Sequence, residues 1–395
     1  MAIQEKFEFG KKFVFHPNYQ RVLLLVIAIG AVALGVTFLK DPTRAWANFL
    51  LNNFYFFSIA LSGLFFISIH YVCNASWGTG LRRVPEAMVV FLPVSVILMM
   101  FLFFGMPSLY HWSHPDFINY DPILQEKKLY LNLPFFYGRW VLFSLVWLYF
   151  AKKMRDYSLE QDRTGDPLLS QKNFRLSAIF LVVFSLTYSL TSYDWIMSLE
   201  PHWYSTIFSV YTFAGLFLHG IGVITLIVLF LRSQGYLRDV VNENHLHDLG
   251  KLIFAFSTFW AYIWFFQYML IWYANLPEET IYYHIRHQGG WMVLFVLNLI
   301  LNWIVPFFVL LPRGAKRNEK VLWGVSLLLI VAYWLDLYLM VVPGKLTKIT
   351  LGAVEILSAL GFMALFFYVV LKALSRAPLA PYKDPYFEES VRLHQ

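Results

Sequence analysis

Ten apolar blocks of roughly twenty residues, divided by short polar segments, constrain this 395-residue chain more than any other feature. They run over approximately 21–39, 49–72, 86–106, 134–151, 174–197, 206–231, 250–273, 288–311, 321–342 and 351–374. A bilayer core about 30 Å thick is crossed by about 20 apolar residues of helix. Lipid offers no partner to a backbone amide, so a block of that length has to bond its own backbone as a helix. The chain is 59% hydrophobic and 14% charged, against about 45–50% and about 25% in a soluble domain, so its apolar surface exceeds what one soluble core hides. The expected fold is an all-α polytopic membrane protein of about ten transmembrane helices, with residues 21–375 in the membrane domain and 1–20 and 376–395 flanking it. MAIQEKFEFGKKFVFHPNYQ leads into the first block with no small-residue cleavage site after it, so that block reads as a retained helix. The one cysteine, Cys73, excludes an intramolecular disulfide, a Cys-only iron–sulfur site and a CxxCH haem attachment within this chain.

Charge sets the orientation. Lys and Arg are grouped at alternate ends of the blocks, as in Lys6, Lys11 and Lys12, Arg82 and Arg83, Lys152, Lys153 and Arg155, Lys172 and Arg175, and Arg313, Lys316, Arg317 and Lys320. The other ends hold only Lys40, Arg44, Lys127, Lys128, Arg286, Lys345 and Lys348. The positive-inside rule then puts both termini on the cytoplasmic side of the membrane, and the net charge of +7 reads as membrane topology, not as a nucleic-acid partner. The outer segments 107–133, 198–205 and 275–287 contain His111, His114, His202, His284 and His287, either a docking face for an extramembranous partner or an interfacial belt. FSIALSGLFF (57–66) and FSVYTFAGLFL (208–218) resemble each other with one insertion. That repeat predicts two four-helix bundles, spans two to five and six to nine, flanked by one helix at each end; chance similarity of Phe- and Leu-rich helices is the alternative.

An ionisable side chain inside lipid is costly and therefore a functional candidate. Arg139, Asp194, Asp336 and Glu355 all fall in the outer leaflet. Asp194 reads as a proton acceptor in a wet pocket or as the buried partner of Arg139. Asp336, in VAYWLDLYLM, has no basic residue within the following turn, while for Glu355 and Arg139 snorkelling to the interface is the alternative. On the inner side, RRVPE places Glu86 near the positive end of a helix. His219, near mid-membrane, reads as a proton relay or an interhelical hydrogen bond. Its only intramembrane companion, His70, lies at a depth differing by roughly 9 Å at 1.5 Å per residue, which argues against a haem between them. There is no nucleotide-binding loop, no HExxH and no paired-Cys zinc motif. His245 and His247 in ENHLHD, spaced i and i+2, do not share a helix face, so a capping loop is expected there and no metal site.

TSYDWIMSLEPHWYSTIFSVYTFAG (191–215), FFQYMLIWYANLPEET (265–280) and LNLILNWIVPFFVLLPRGAKRN (297–318) resemble the polytopic subunits of bacterial alternative complex III, a quinol:cytochrome c oxidoreductase. The likeness covers nearly the whole chain, including the tail APYKDPYFEES (380–390). That family has two such subunits, ActC and ActF, both similar to NrfD/PsrC quinol-interacting proteins; the short chain, RRVPE and the tail resemble ActF more than ActC. The resemblance implies a subunit with no prosthetic group of its own, beside an ActC-like paralogue, with iron–sulfur and haem c subunits on the periplasmic face and a cytochrome or terminal oxidase as electron acceptor. It also implies quinone or menaquinone as the small molecule nearby. The family's DW…LEPHW segment falls on Asp194, Trp195, Leu199, Glu200, Pro201, His202 and Trp203. Quinol oxidation releases two protons, so a site for it needs a carboxylate or His in reach, and Tyr193, Asp194 and His202 are the candidates.

The function expected is therefore scaffold and proton path in a respiratory complex. The inner half-path would use Glu86, Lys251 and His219, and the outer one Asp194, Asp336, Glu355 and Arg139, with Gln267, Tyr188 and Tyr211 between. A secondary transporter or a purely structural anchor are the alternatives.

Overall fold

The computed structural model describes residues 11–114, 120–346 and 348–394; Lys6 lies outside them. They form an all-α polytopic membrane protein, with no strand among the described residues. Ten helices are long and apolar enough to cross a bilayer: Pro17–Lys40, Pro42–Val72, Arg83–Leu109, Leu133–Thr164, Leu168–Leu199, Phe208–Ser233, Glu243–Ala274, Trp291–Leu310, Glu319–Val341 and Ala353–Leu374. These are the first to tenth spans below. Each matches an apolar block of the sequence, and several run on into polar ends because helix hydrogen bonding does not stop where hydrophobicity does. Start signals are local: Asp41, Asn132, Asn242 and Asn318 accept backbone N–H groups at the first turns of the second, fourth, seventh and ninth spans.

Packing follows the predicted two bundles. The second span contacts the third and fifth, and the fourth contacts the fifth; the sixth contacts the seventh and ninth, and the eighth bridges those two. The second and sixth spans, which carry the internal repeat, pack against each other and are buried along most of their length. Their approach is close: a Cβ on Gly220 would sit 1.8 Å from Ser62 Oγ. The first and tenth spans, remote in sequence, pair with each other and lean on the second. Here Gly30 and Gly361 meet backbone to backbone, since a Cβ on Gly30 would lie 2.6 Å from Gly361 Cα, the small-residue contact that lets membrane helices approach.

Two spans are interrupted. The third breaks at Val90–Phe91, ahead of Pro93, and ends in a 3₁₀ turn over Leu102–Gly105. The eighth widens into a π turn over Ile300–Ile304. Pro306 explains it, because its ring displaces the carbonyl four residues earlier, that of Asn302.

The described ends of the chain, Lys11 and His394, lie on one face, where the segment after the tenth span forms a strap. Leu379 N–H bonds Lys11 O (3.1 Å), Lys383 Nζ donates to Arg163 O (2.8 Å), and Asp384 pairs with Arg82. Ser390 Oγ accepts from Gly80 N–H (3.1 Å), and Leu393 O accepts from both Asn242 and Asn244 Nδ2 (2.9 Å each). Loops of both bundles are thus fastened by one stretch of chain.

Candidate functional site

The centre of the second bundle holds a continuous string of polar side chains. Asp336 on the ninth span is fully buried. It accepts from Tyr211 Oη of the sixth span, from Asn298 Nδ2 of the eighth (2.8 Å) and from Trp260 Nε1 of the seventh (3.2 Å). Asn298 Oδ1 accepts from Asn302 Nδ2 (2.7 Å), and Asn302 Oδ1 faces His219 Nε2 (2.6 Å). The His219 ring stacks on Tyr333 with centroids 4.3 Å apart, and its Nδ1 faces Gly215 O (2.5 Å). Gly215 opens the space: a Cβ there would come within 3.1 Å of the Tyr333 ring and 3.6 Å of Asp336 Oδ2. Apart from the Tyr333 hydroxyl, which makes no hydrogen bond among the described residues, the side-chain polar atoms of this string have partners, as buried polar groups require.

The other carboxylates predicted for a proton path have guanidinium partners. Asp194 takes two bonds of 2.8 Å from Arg139, whose charge also lies over the rings of Tyr130 and Phe135. Of the two arrangements open to Asp194 in the sequence, the ion pair is the one found. Glu355 receives two 2.7 Å bonds from Arg44 and one of 3.1 Å from Asn48. Neither Arg139 nor Glu355 snorkels; both are buried because each charge is cancelled within the protein. Among the described buried carboxylates, Asp336 alone has no cation in salt-bridge range.

The expected inner half-path is not assembled. Glu86 is bound to Arg83, which also holds Asp162, and Lys251 pairs with Asp248 at 2.5 Å. No hydrogen bond joins Glu86 or Lys251 to His219 among the described residues; His219 belongs with Asp336 instead, because the eighth span interposes two amides at its level. Gln267 is buried on the seventh span beyond Trp260, and Tyr188 packs on Phe184, both outside the string of bonds.

Nor do the quinone-site candidates converge. Tyr193 Oη donates to Thr206 O (2.8 Å), Asp194 turns to Arg139, and His202 Nε2 meets Asp121 on the surface. The cavity bordered by Thr191 and Trp195 measures about 10 Å³, room for about one water. A larger one of about 430 Å³ opens towards the other end of the membrane, among Phe65, His70, Trp77 and Phe217. His70 stacks on Phe66 and faces Phe66 O, while His245 caps the seventh span through Asn242.

On the face opposite the strap, Arg286 in the helix Pro277–His287 binds Glu200 (2.7 Å) and the last carbonyls of the ninth span, Leu339 O (2.8 Å) and Met340 O (3.2 Å). Burial pulls its basicity down and Glu200 more than restores it, leaving it above the ordinary arginine value. Lys345 sits beside this pair with a buried Nζ that makes no hydrogen bond; burial pushes it down to about 8, against the pull of Glu200. Burial likewise lowers His111 and His287, and the His202 contact lowers Asp121.

Sequence reasoning missed Asn298, Asn302, Trp260, Arg44 and Asn48. The spacing of Asn298 and Asn302 in LNLILNW, i and i+4 on one helix face, was the available signal. No protein-family model matches the chain, and no curated protein matches it.

Proposed function

We propose that this multi-pass membrane protein is an ActF-like subunit of a quinol:cytochrome c oxidoreductase of the alternative complex III type, acting as scaffold and proton path. The observation that supports it is the string from Asp336 to His219: a carboxylate without a counter-ion, kept in a membrane interior, bonded through two amides to a histidine about a third of the way further in. A scaffold alone has no use for that arrangement, since an apolar core of the same shape is as stable or more so. The ion pairs of Asp194, Glu355 and Glu200 supply the scaffold. In this reading the termini face the cytoplasm, as the positive-inside rule has it. The opposite face, with its histidines and aromatics, seats the iron–sulfur and haem c subunits, and the ActC-like paralogue lies alongside in the lipid. Quinol is oxidised elsewhere in the complex, since Tyr193, Asp194 and His202 point to different partners.

Gentle solubilisation followed by pull-down on this chain tests the assembly: iron–sulfur and haem c subunits are expected to co-purify. Asp336→Asn in that complex is expected to cut proton transfer and quinol turnover on the order of 100-fold, the worth of one acid–base group. A chain that runs alone and moves a solute in vesicles, or a variant with full activity, overturns the proposal.

A further inference from the structure

We propose that Asn302 and Asn298 form a two-amide relay that carries one proton between His219 and Asp336, so that the string has a charge-separated form and a neutral form.

The direction of each hydrogen bond carries the inference. Asn302 Nδ2 faces three acceptors, Asn298 Oδ1 (2.7 Å), Asn298 O (3.0 Å) and Ala332 O (3.5 Å), which fixes its amide with Oδ1 towards His219. Asn298 Nδ2 then has only Asp336 Oδ1 to donate to (2.8 Å). His219 faces an acceptor at each ring nitrogen, Gly215 O (2.5 Å) and Asn302 Oδ1 (2.6 Å). A ring that donates from both nitrogens is an imidazolium. Asp336 receives three donors, from Tyr211, Asn298 and Trp260, the pattern of an ionised carboxylate. Along the line from His219 Nε2 through the Asn302 and Asn298 side-chain amides to Asp336 Oδ1, each of the three bonds is thus donated towards Asp336.

Turning both amides over reverses every one of those bonds. Asn302 Nδ2 then donates to a neutral His219 Nε2, Asn298 Nδ2 donates to Asn302 Oδ1, and a protonated Asp336 Oδ1 donates to Asn298 Oδ1. Between the two forms one N–H bond at His219 Nε2 breaks and one O–H bond at Asp336 forms. Asn302 and then Asn298 each take the proton on Oδ1, turn, and hand it on from that same oxygen, so each gains and loses one proton and ends as an intact amide with oxygen and nitrogen exchanged in place.

Opposed terms act on the two forms. The charge-separated form keeps the extra bond from Asn302 to the Asn298 carbonyl and lays a cation on the Tyr333 ring. The neutral form avoids holding two separated ions where no counter-ion touches either. The groups that face the pair from the packed elements are the phenols of Tyr211, Tyr282 and Tyr333, the Trp260 indole and the two amides. Among the described residues no lysine, arginine or second carboxylate bonds to either end.

Two features of the backbone serve the relay. The π turn at Ile300–Ile304 carries Asn302, and such turns recur at functional positions. His219 lies eleven residues into the sixth span and Asp336 five residues from the end of the ninth. At 1.5 Å per residue the relay covers about 9 Å of membrane depth.

The relay rests on the proton-path reading for its purpose, not for its existence, and infrared difference spectra of the assembled complex with isotope-labelled histidine, taken against temperature at fixed pH because the two forms hold the same number of protons, separate the two. The protonated-carboxyl band of Asp336, identified by its loss in Asp336→Asn, and the neutral-ring band of His219 are expected to rise and fall together. In Asn302→Leu, of similar shape but with no amide, they are expected to change independently; Asn302→Ser gives the same comparison if the leucine variant does not assemble. Independent change of the two bands in the unaltered complex overturns the relay and leaves the path open to another route. Coupled change that Asn302→Leu abolishes without slowing proton transfer upholds the relay and removes its assigned purpose.

Discussion

Removing the guanidinium of Arg139 is the sharpest test of which buried charges build the scaffold. Asp194 is buried and its two oxygens take both of their short bonds from Arg139. Arg139→Met therefore strands a carboxylate in a low-dielectric interior, at a cost of about 3–5 kcal/mol. Asp194→Leu strands the guanidinium instead, with only the Tyr130 carbonyl at 3.1 Å and the rings of Tyr130 and Phe135 to hold it, and costs a similar amount. Replacing both removes the ions together. What is lost then is the ring contact, about 1–2 kcal/mol, so the double variant is expected to be more stable than either single one, with a coupling energy of about 3 kcal/mol or more. Tryptophan fluorescence during denaturant unfolding in mild detergent reads all four proteins; Trp140 and Trp195 pack against each other beside the pair. Single losses that simply add in the double variant would refute the assignment of this pair to the scaffold.

The same structure fixes other outcomes. Tyr211→Phe removes one of three donors to Asp336, costs about 1–2 kcal/mol in the same unfolding assay, and shifts the infrared band of the carboxyl group; an unmoved band counts against the bond. Lys345, pushed down to about 8 from the ordinary 10.5, binds its proton more weakly folded than unfolded. Stability is therefore expected to rise as pH climbs from about 8 to about 10.5, and the penalty, about 3 kcal/mol at most, is whole below that window. Lys345→Met should raise the melting temperature at neutral pH and lose that advantage in alkali; equal melts at both pH values contradict this. Gly361→Val pushes the first span off the tenth, at about 1–3 kcal/mol, seen as faster proteolysis of the segment between the first two spans. Asp384→Ala frees the strap from Arg82 and is expected to raise hydrogen exchange in the loops at 76–82 and 242–245, with no change if the strap is passive.

The ten spans were legible because hydrophobic length is a property of each block alone, and so was a capping stretch at 243–248, where the seventh span begins. Partnerships across the fold were not. Arg44 and Glu355 stand 311 positions apart, and each by itself reads as an interface residue. Asp336 stood out by its charge, but Asn298 and Asn302 did not, since a neutral amide perturbs hydropathy far less than an ion does. Lys251 and Glu86 drew attention by charge as well, yet each is neutralised within its own neighbourhood. A list of ionisable groups ranks residues by what they cost in lipid; a relay is made of what connects them, and amides connect at little cost.

The segment that ties the loops at 76–82, 160–166 and 242–245 together is synthesised after every membrane helix. Until it emerges, the two bundles have only their shared central helices to hold them in register. Biogenesis of this protein is therefore expected to include a late latching step, taken after these ten helices have left the translocon.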